Sequence, residues 1–169
     1  REKRHVAKLG LKTLRKTRKL GLRQLIPKER LSTFDISNIV FEIAPKINAA
    51  GRISHAKAAV ALMISDNLKS AKHIVQEIMN LNDERRELDI NSTLEALQQI
   101  EDTHQQNNYS TIVYNPKWNK GVIGIVASRL IETYYKPTLV FTEGNNGELV
   151  ASARSISDFD VYEALDLCS

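Results

Sequence analysis

One cysteine, Cys168, is all the thiol in this 169-residue chain. That excludes an internal disulfide and a thiolate zinc site, and a reducing, cytoplasmic setting is the expectation. Long apolar runs are missing too. None approaches the ~20 residues that a membrane-crossing helix needs, so no membrane partner is expected. No apolar stretch follows the charged N-terminus, so no secretory signal is visible. Histidine is scarce: His5, His55, His73 and His104 are the four present. None stands four residues from another, and none lies in a carboxylate cluster. Converging Asp, Glu or His ligands are what a catalytic metal centre requires, so these read as surface or loop histidines and no metal site is expected. Glycine and proline are absent from residues 68–106, which leaves nothing there to break a helix.

What remains is ordinary for a soluble globular chain: 42% apolar and 26% charged residues. The net charge is only +4, but it is unevenly spread. Residues 1–30 carry twelve Lys/Arg and two Glu, a net of +10, while the remainder carries a net of −6. A basic arm on an acidic body points toward a polyanionic partner. The length suits one ordinary domain or two small pieces. The chain starts at Arg1 and stops within a helical pattern, Val161 to Cys168, so it is expected to be a fragment of a longer protein.

Residues 3–20 read as a basic amphipathic helix, with Lys8, Lys12, Arg15, Lys16, Lys19 and Arg23 on one face. Gly10 weakens it and Gly21 is the expected terminator. Ser32, Thr33 and Asp35 offer N-caps for a short helix that ends before Pro45, and an Ala-rich helix follows at 55–64. Apolar residues at three- and four-residue steps then predict one long helix over 68–106, of roughly 55 Å. A break near Asn91-Ser92 is the expected weak point. Beyond it the period changes. Residues 111–114 read as a strand, 121–135 as a helix with Asn119 as N-cap, and 138–141 as a strand. Asn145-Asn146-Gly147 reads as a hairpin turn, 148–155 as the returning strand, and a last helix starts near Asp160. The expected fold class is α/β: an N-terminal helical segment (1–66), a long connector helix (67–106) and a small mixed-sheet α/β domain (107–169).

Four stretches can carry chemistry. In Pro45 to Arg52, Asn48 and Arg52 put an amide and a guanidinium four residues apart across small residues, with Gly51 allowing close backbone approach. An arginine there can grip a phosphate bidentately; a tight helix corner with a capping Asn is the other explanation, and on spacing alone the favoured one. In 118–130, Asn119, Lys120 and Gly121 stand where a helix start can bind an anion, and Trp118 offers a stacking face. Close helix-on-sheet packing is the other explanation for Gly124. In 151–155, Ser152 and Arg154 are two apart on a strand, so they share a face and can cradle a phosphate; a surface arginine paired with an acid is the alternative. On the long helix, Asn82, Arg85, Arg86 and Asp89 interrupt the apolar pattern, as a solvated face would.

Taken in order, "FEIAPKINAAGRI" (41–53), "LNDERRELD" (81–89), "WNKGVIGIVASRL" (118–130), "KPTLVF" (136–141) and "ASARSI" (151–156) resemble the RecJ-type single-stranded-DNA-specific exonucleases of the DHH phosphoesterase superfamily. The resemblance covers nearly the whole chain. It implies a two-lobed enzyme that degrades single-stranded DNA from the 5′ end in recombination and repair. A DHH lobe would hold two Mn²⁺ or Mg²⁺ ions, and a long helix would join it to a DHH-associated lobe that grips the strand. Residues 1–66 would be the tail of the first lobe, and 107–169 most of the second. The metal-binding lobe would be largely missing, so no catalytic residue is expected here and the fragment alone is expected to be inactive.

Carried over by position, Arg52 would face the DNA near the cleft. Ser152 and Arg154 would belong to a 5′-phosphate pocket, and Arg86 would touch the backbone from the connector. Single-stranded DNA is the implied partner, with helicase or single-strand-binding proteins as partners of the parent. Two departures stand out. Asn119 occupies a position where the family often has His, and Ala151 and Ala153 flank Ser152 where the family usually has glycines. Two alternatives remain: a related DHH phosphodiesterase acting on short RNA, cyclic dinucleotides or polyphosphate, and a non-enzymatic nucleic-acid-binding or scaffold module.

Overall fold

The computed structural model describes residues 2–53 and 56–168. The fold is α/β: mostly helical, with one three-stranded mixed sheet. Contacts cluster into two compact units that divide between Glu84 and Arg85.

In the first unit, α1 (Glu2–Arg15) is amphipathic yet buries no residue. The helix expected to reach residue 20 ends at Arg15, where the Arg15 Nε donates to the Phe34 carbonyl at 2.9 Å. Gly21 does not terminate it. Gly21 lies buried inside α2 (Leu20–Leu25), where a Cβ would overlap the Leu62 carbonyl of α5 (Lys57–Ile64). The glycine is needed for close approach of two helices, which a pattern within one helix does not reveal.

Asp35 caps α3 (Ile36–Asn38) through a reciprocal box: the Asn38 N–H donates to Asp35 Oδ1 at 2.9 Å, and the Asp35 N–H donates to Asn38 Oδ1 at 3.0 Å. The chain does not stop before Pro45. It passes through a π turn at Ile39–Ile43, closed by the Ala44 N–H on the Ile39 carbonyl, and continues as α4 (Ala44–Ile53). Proline has no N–H to give, and its ring crowds the carbonyl four residues back. The wider turn just before it absorbs that clash.

Glu42, on the π turn, takes both arms of the Arg30 guanidinium at 2.7 and 2.8 Å and the Asn38 amide at 2.8 Å. The Arg30 hydrogen bond, then that of Asn38, holds the Glu42 carboxyl below its ordinary pKa, and the pairing raises that of Arg30. The core beneath gathers Ile26, Phe34, Leu62, Ala71 and Ile78.

Helix α6 (Leu68–Asp102) is continuous for 35 residues, about 52 Å, with no break at Asn91-Ser92. It starts at Asn67, whose Oδ1 accepts the N–H groups of Lys69 and Ser70. It ends four residues short of the expectation, at a left-handed His104 (φ 54°) and a 3-10 turn, Gln105–Asn107.

In the second unit the order is β-α-β-β-α: β1 (Thr111–Tyr114), α7 (Ile123–Tyr134), β2 (Thr138–Glu143), β3 (Leu149–Arg154) and α8 (Val161–Asp166). β2 is central, parallel to β1 and antiparallel to β3. Val113 and Val140 turn one sheet face toward Ala96 and Ile100 of α6 and Val126 and Leu130 of α7. The β2–β3 connection is the expected turn, with Gly147 at φ 74° and the Gly144 N–H on the Glu148 carbonyl at 2.7 Å. Side chains close part of the outer edge of β1. Gln99 bonds both the N–H and the carbonyl of Tyr114, and Gln105 accepts the Ile112 N–H. That covers groups an open edge strand would offer to other chains.

Candidate nucleic-acid interface

The most constructed polar cluster outside the cores lies where β3 meets the start of α7. Ser152 pairs with Val140 and Arg154 with Thr138 across the sheet, so both project to the face that α7 covers. There the Arg154 guanidinium is tied down on several sides. Nε donates to Ser128 Oγ at 3.2 Å, and Nη2 to the Gly124 carbonyl at 3.0 Å. Nη1 donates to Ser152 Oγ at 3.2 Å and to the Ala153 carbonyl at 2.8 Å. Arg154 nevertheless stays exposed. Its partners are hydroxyls and carbonyls rather than an acid, so its positive charge is not neutralised by any of them. Among the described residues no acid pairs with it, as the alternative of a surface ion pair would require.

Asn48 and Arg52 lie inside α4, one turn apart, both exposed above the buried Ala49 and Ala50. Residues 45–52 are helical throughout, and Gly51 does not adopt a positive φ; among the described residues a Cβ there would meet the Ala56 Cβ at 3.9 Å. Arg86 is exposed on α6. The turn before α7 is self-satisfied. Asn119 Oδ1 accepts the Gly121 N–H at 2.7 Å, and the Asn119 carbonyl accepts the Val122 N–H at 2.9 Å. Val122, not Asn119, is the N-cap of α7. Lys120 is exposed beside it.

Two sequence readings are corrected. Trp118 offers no stacking face: it is 6% exposed within the sheet core, and its Nε1 donates to Glu95 at 2.7 Å. The polar interruption of α6 is not wholly a solvated face, because Asn82 and Asp89 are buried. Asp89 receives Arg129 of α7 at 2.8 Å, with the carboxylate side chain 3% exposed and the guanidinium 47% exposed. Arg129 and Ser128 were not singled out by sequence reasoning. The one local signal was an acid at position 89 in an otherwise apolar rhythm, and its partner stands forty residues away.

Among the described residues, no group of three or more His, Cys, Asp or Glu is placed to hold a metal ion, so the residues present do not fit a divalent-cation centre. His5, His73 and His104 are exposed; His55 lies outside the described residues. Among the described residues no helix is long and apolar enough to cross a membrane.

The DHHA1 domain model matches residues 107–168. The chain is 39% identical to the single-stranded-DNA-specific exonuclease RecJ of Bacillus subtilis over 99% of its own length and 22% of that protein's. It is 33% identical to the Escherichia coli RecJ over 77% of its length and 23% of the relative. The chain thus spans less than a quarter of the length of these relatives. A crystal structure of Thermus thermophilus RecJ in complex with Mn²⁺ superposes with a TM-score of 0.80 at 28% identity, covering 96% of this chain and 24% of that one. A manganese-bound exonuclease RecJ gives 0.81 at 29% identity, covering 96% and 40%. Residues 107–168 thus match the DHHA1 domain, and nearly the whole chain is similar to the segment of the RecJ homologues that contains it.

Proposed function

We propose that this chain is the strand-gripping part of a 5′→3′ single-stranded-DNA exonuclease of recombination and repair, and that Ser152 and Arg154 bind the terminal 5′-phosphate. One observation carries the reading: an exposed guanidinium, paired with no acid among the described residues, is held beside a serine hydroxyl on one sheet face. A charge-assisted hydrogen bond to phosphate is the strongest contact such a group makes. Asn48 and Arg52 on α4, Arg86 on α6 and Lys120 before α7 would add contacts to the backbone, where each lysine or arginine contributes mainly through its charge. Asn119 and Gly121 would join them only by opening their own hydrogen bond.

In this reading residues 1–66 are the tail of the DHH lobe and α6 is the connector. The Mn²⁺ or Mg²⁺ seen in the neighbours would be held by parts of the protein outside this chain, and no step is assigned to a metal here. The chain alone is then inactive, and digestion of single-stranded DNA by a clean preparation with Mn²⁺ would contradict that. Cytoplasmic action, with helicase or single-strand-binding proteins as partners, belongs to the same proposal.

The test uses the full-length protein and two otherwise identical strands, one 5′-phosphorylated and one 5′-hydroxyl. Arg154→Ala is expected to lower the preference for the phosphorylated strand at least about ten-fold, the loss of a hydrogen bond between charged groups. An unchanged preference would refute the assignment.

A further inference from the structure

Arg154 is exposed, yet four of its five N–H donors are already engaged within the protein. Two of the acceptors belong to its own strand, Ser152 Oγ and the Ala153 carbonyl. The other two come from α7: Ser128 Oγ and the Gly124 carbonyl. A long arginine at a surface samples many rotamers, so a set of acceptors this complete selects one. Ser128 is prepared for that task. Its hydroxyl proton goes to the Gly124 carbonyl at 3.0 Å, which leaves the oxygen's lone pairs to accept Arg154 Nε.

Gly124 supplies the space. A Cβ there would stand 3.0 Å from Arg154 Nη2 and 3.0 Å from Ser152 Oγ, closer than either could tolerate without moving. The glycine is thus explained by the two polar side chains on β3, and not only by packing of helix on sheet. The donor count then says what is left over. One N–H remains on Arg154 Nη2, and Ser152 accepts from Arg154, so its own hydroxyl proton is uncommitted. Two donors on adjacent groups can serve two oxygens of one phosphate.

Resting on the phosphate reading above, we infer that Gly124 and Ser128 are positioning residues that set selectivity for a terminal phosphate. They hold the Arg154 guanidinium in one rotamer, with one N–H and the Ser152 hydroxyl proton presented to the ligand. Neither touches the strand itself.

The experiment measures, in the full-length protein, kcat/KM for 5′-phosphorylated over 5′-hydroxyl single-stranded DNA. Ser128→Ala removes the acceptor of Nε without adding bulk, and the ratio is expected to fall about three- to ten-fold. Ser128→Thr keeps a hydroxyl at the same place and is expected to restore it. Gly124→Ala crowds both β3 side chains and is expected to lower the ratio as well, with thermal midpoints recorded for each variant. A merely structural role would lower stability and slow both substrates alike; an unchanged ratio in Ser128→Ala and Gly124→Ala therefore overturns the inference, as does a Ser128→Thr that behaves like Ser128→Ala. Arg154→Ala separates the two levels. If it too leaves the ratio intact, the phosphate reading falls and the inference with it. If it collapses the ratio while the α7 variants do not, only the inference falls.

Discussion

The two compact units carry opposite charge and use it differently. Residues 1–84 hold seventeen Lys/Arg against eight acids, and residues 85–169 hold seven against twelve. By net charge the first unit is the one a polyanion would be drawn to. Yet α1 buries nothing, and Lys8, Lys12 and Lys16 are exposed. The arginine fixed by four hydrogen bonds, Arg154, sits in the acidic unit. A diffuse field of lysines attracts a polyanion from a distance and is screened by salt. A guanidinium in one rotamer recognises a particular group. Net charge and the most closely held arginine therefore lie in different halves of the sequence.

The ion pairs differ between the units in the same way, and mutating each one shows by how much. Arg129→Ala leaves the buried Asp89 carboxylate oxygen without its donor, so it is expected to lower unfolding stability by about 2 kcal/mol in a denaturant titration, the cost of an unsatisfied buried acceptor. Arg30→Ala, at an exposed pair, should move the same midpoint far less. Equal effects would erase the distinction between the units.

Next in size is the basic N-terminal segment, α1 and the turn after it. Replacing Lys8, Lys12 and Lys16 together by Ala should weaken single-stranded-DNA binding and make the slope of log affinity against log salt shallower by about 2, if each lysine meets one phosphate. The ratio between 5′-phosphorylated and 5′-hydroxyl strands should not move. A change in that ratio would give the basic unit a part in specificity.

The smallest effect is one of pH. Glu42 has its folded pKa lowered by Arg30 and then by Asn38. Its stabilising contribution is therefore complete above the ordinary glutamate pKa of about 4.3 and is lost as pH falls through the lower folded value. Glu42→Gln should flatten the acid side of the stability profile. A wild-type profile already flat there would contradict the pairing.

Local chemistry was legible in the sequence. The Asp35 cap, the Gly147 turn, the gap-free α6 and the alternation that puts Ser152 and Arg154 on one face all follow from residues close together in the chain. What escaped depends on register between distant elements. Trp118 reads as a stacking platform until Glu95, 23 residues away, takes its N–H. Gly21 reads as a stop until α5 is laid against it. Pro45 reads as a terminator because a π turn leaves no mark in apolar periodicity. Ser128 has no local signal at all, since its value comes from an arginine 26 residues on.

One measurement sets the two units against each other. In the full-length protein, the 5′-phosphate over 5′-hydroxyl ratio of kcat/KM is recorded at low and moderate salt for Arg154→Ala and for the Lys8, Lys12 and Lys16 triple variant. Arg154→Ala is expected to lose the preference at both salts, while the triple variant keeps it and loses affinity most at low salt, where the wild type gains most from those lysines. A preference retained by Arg154→Ala and lost by the triple variant would contradict this.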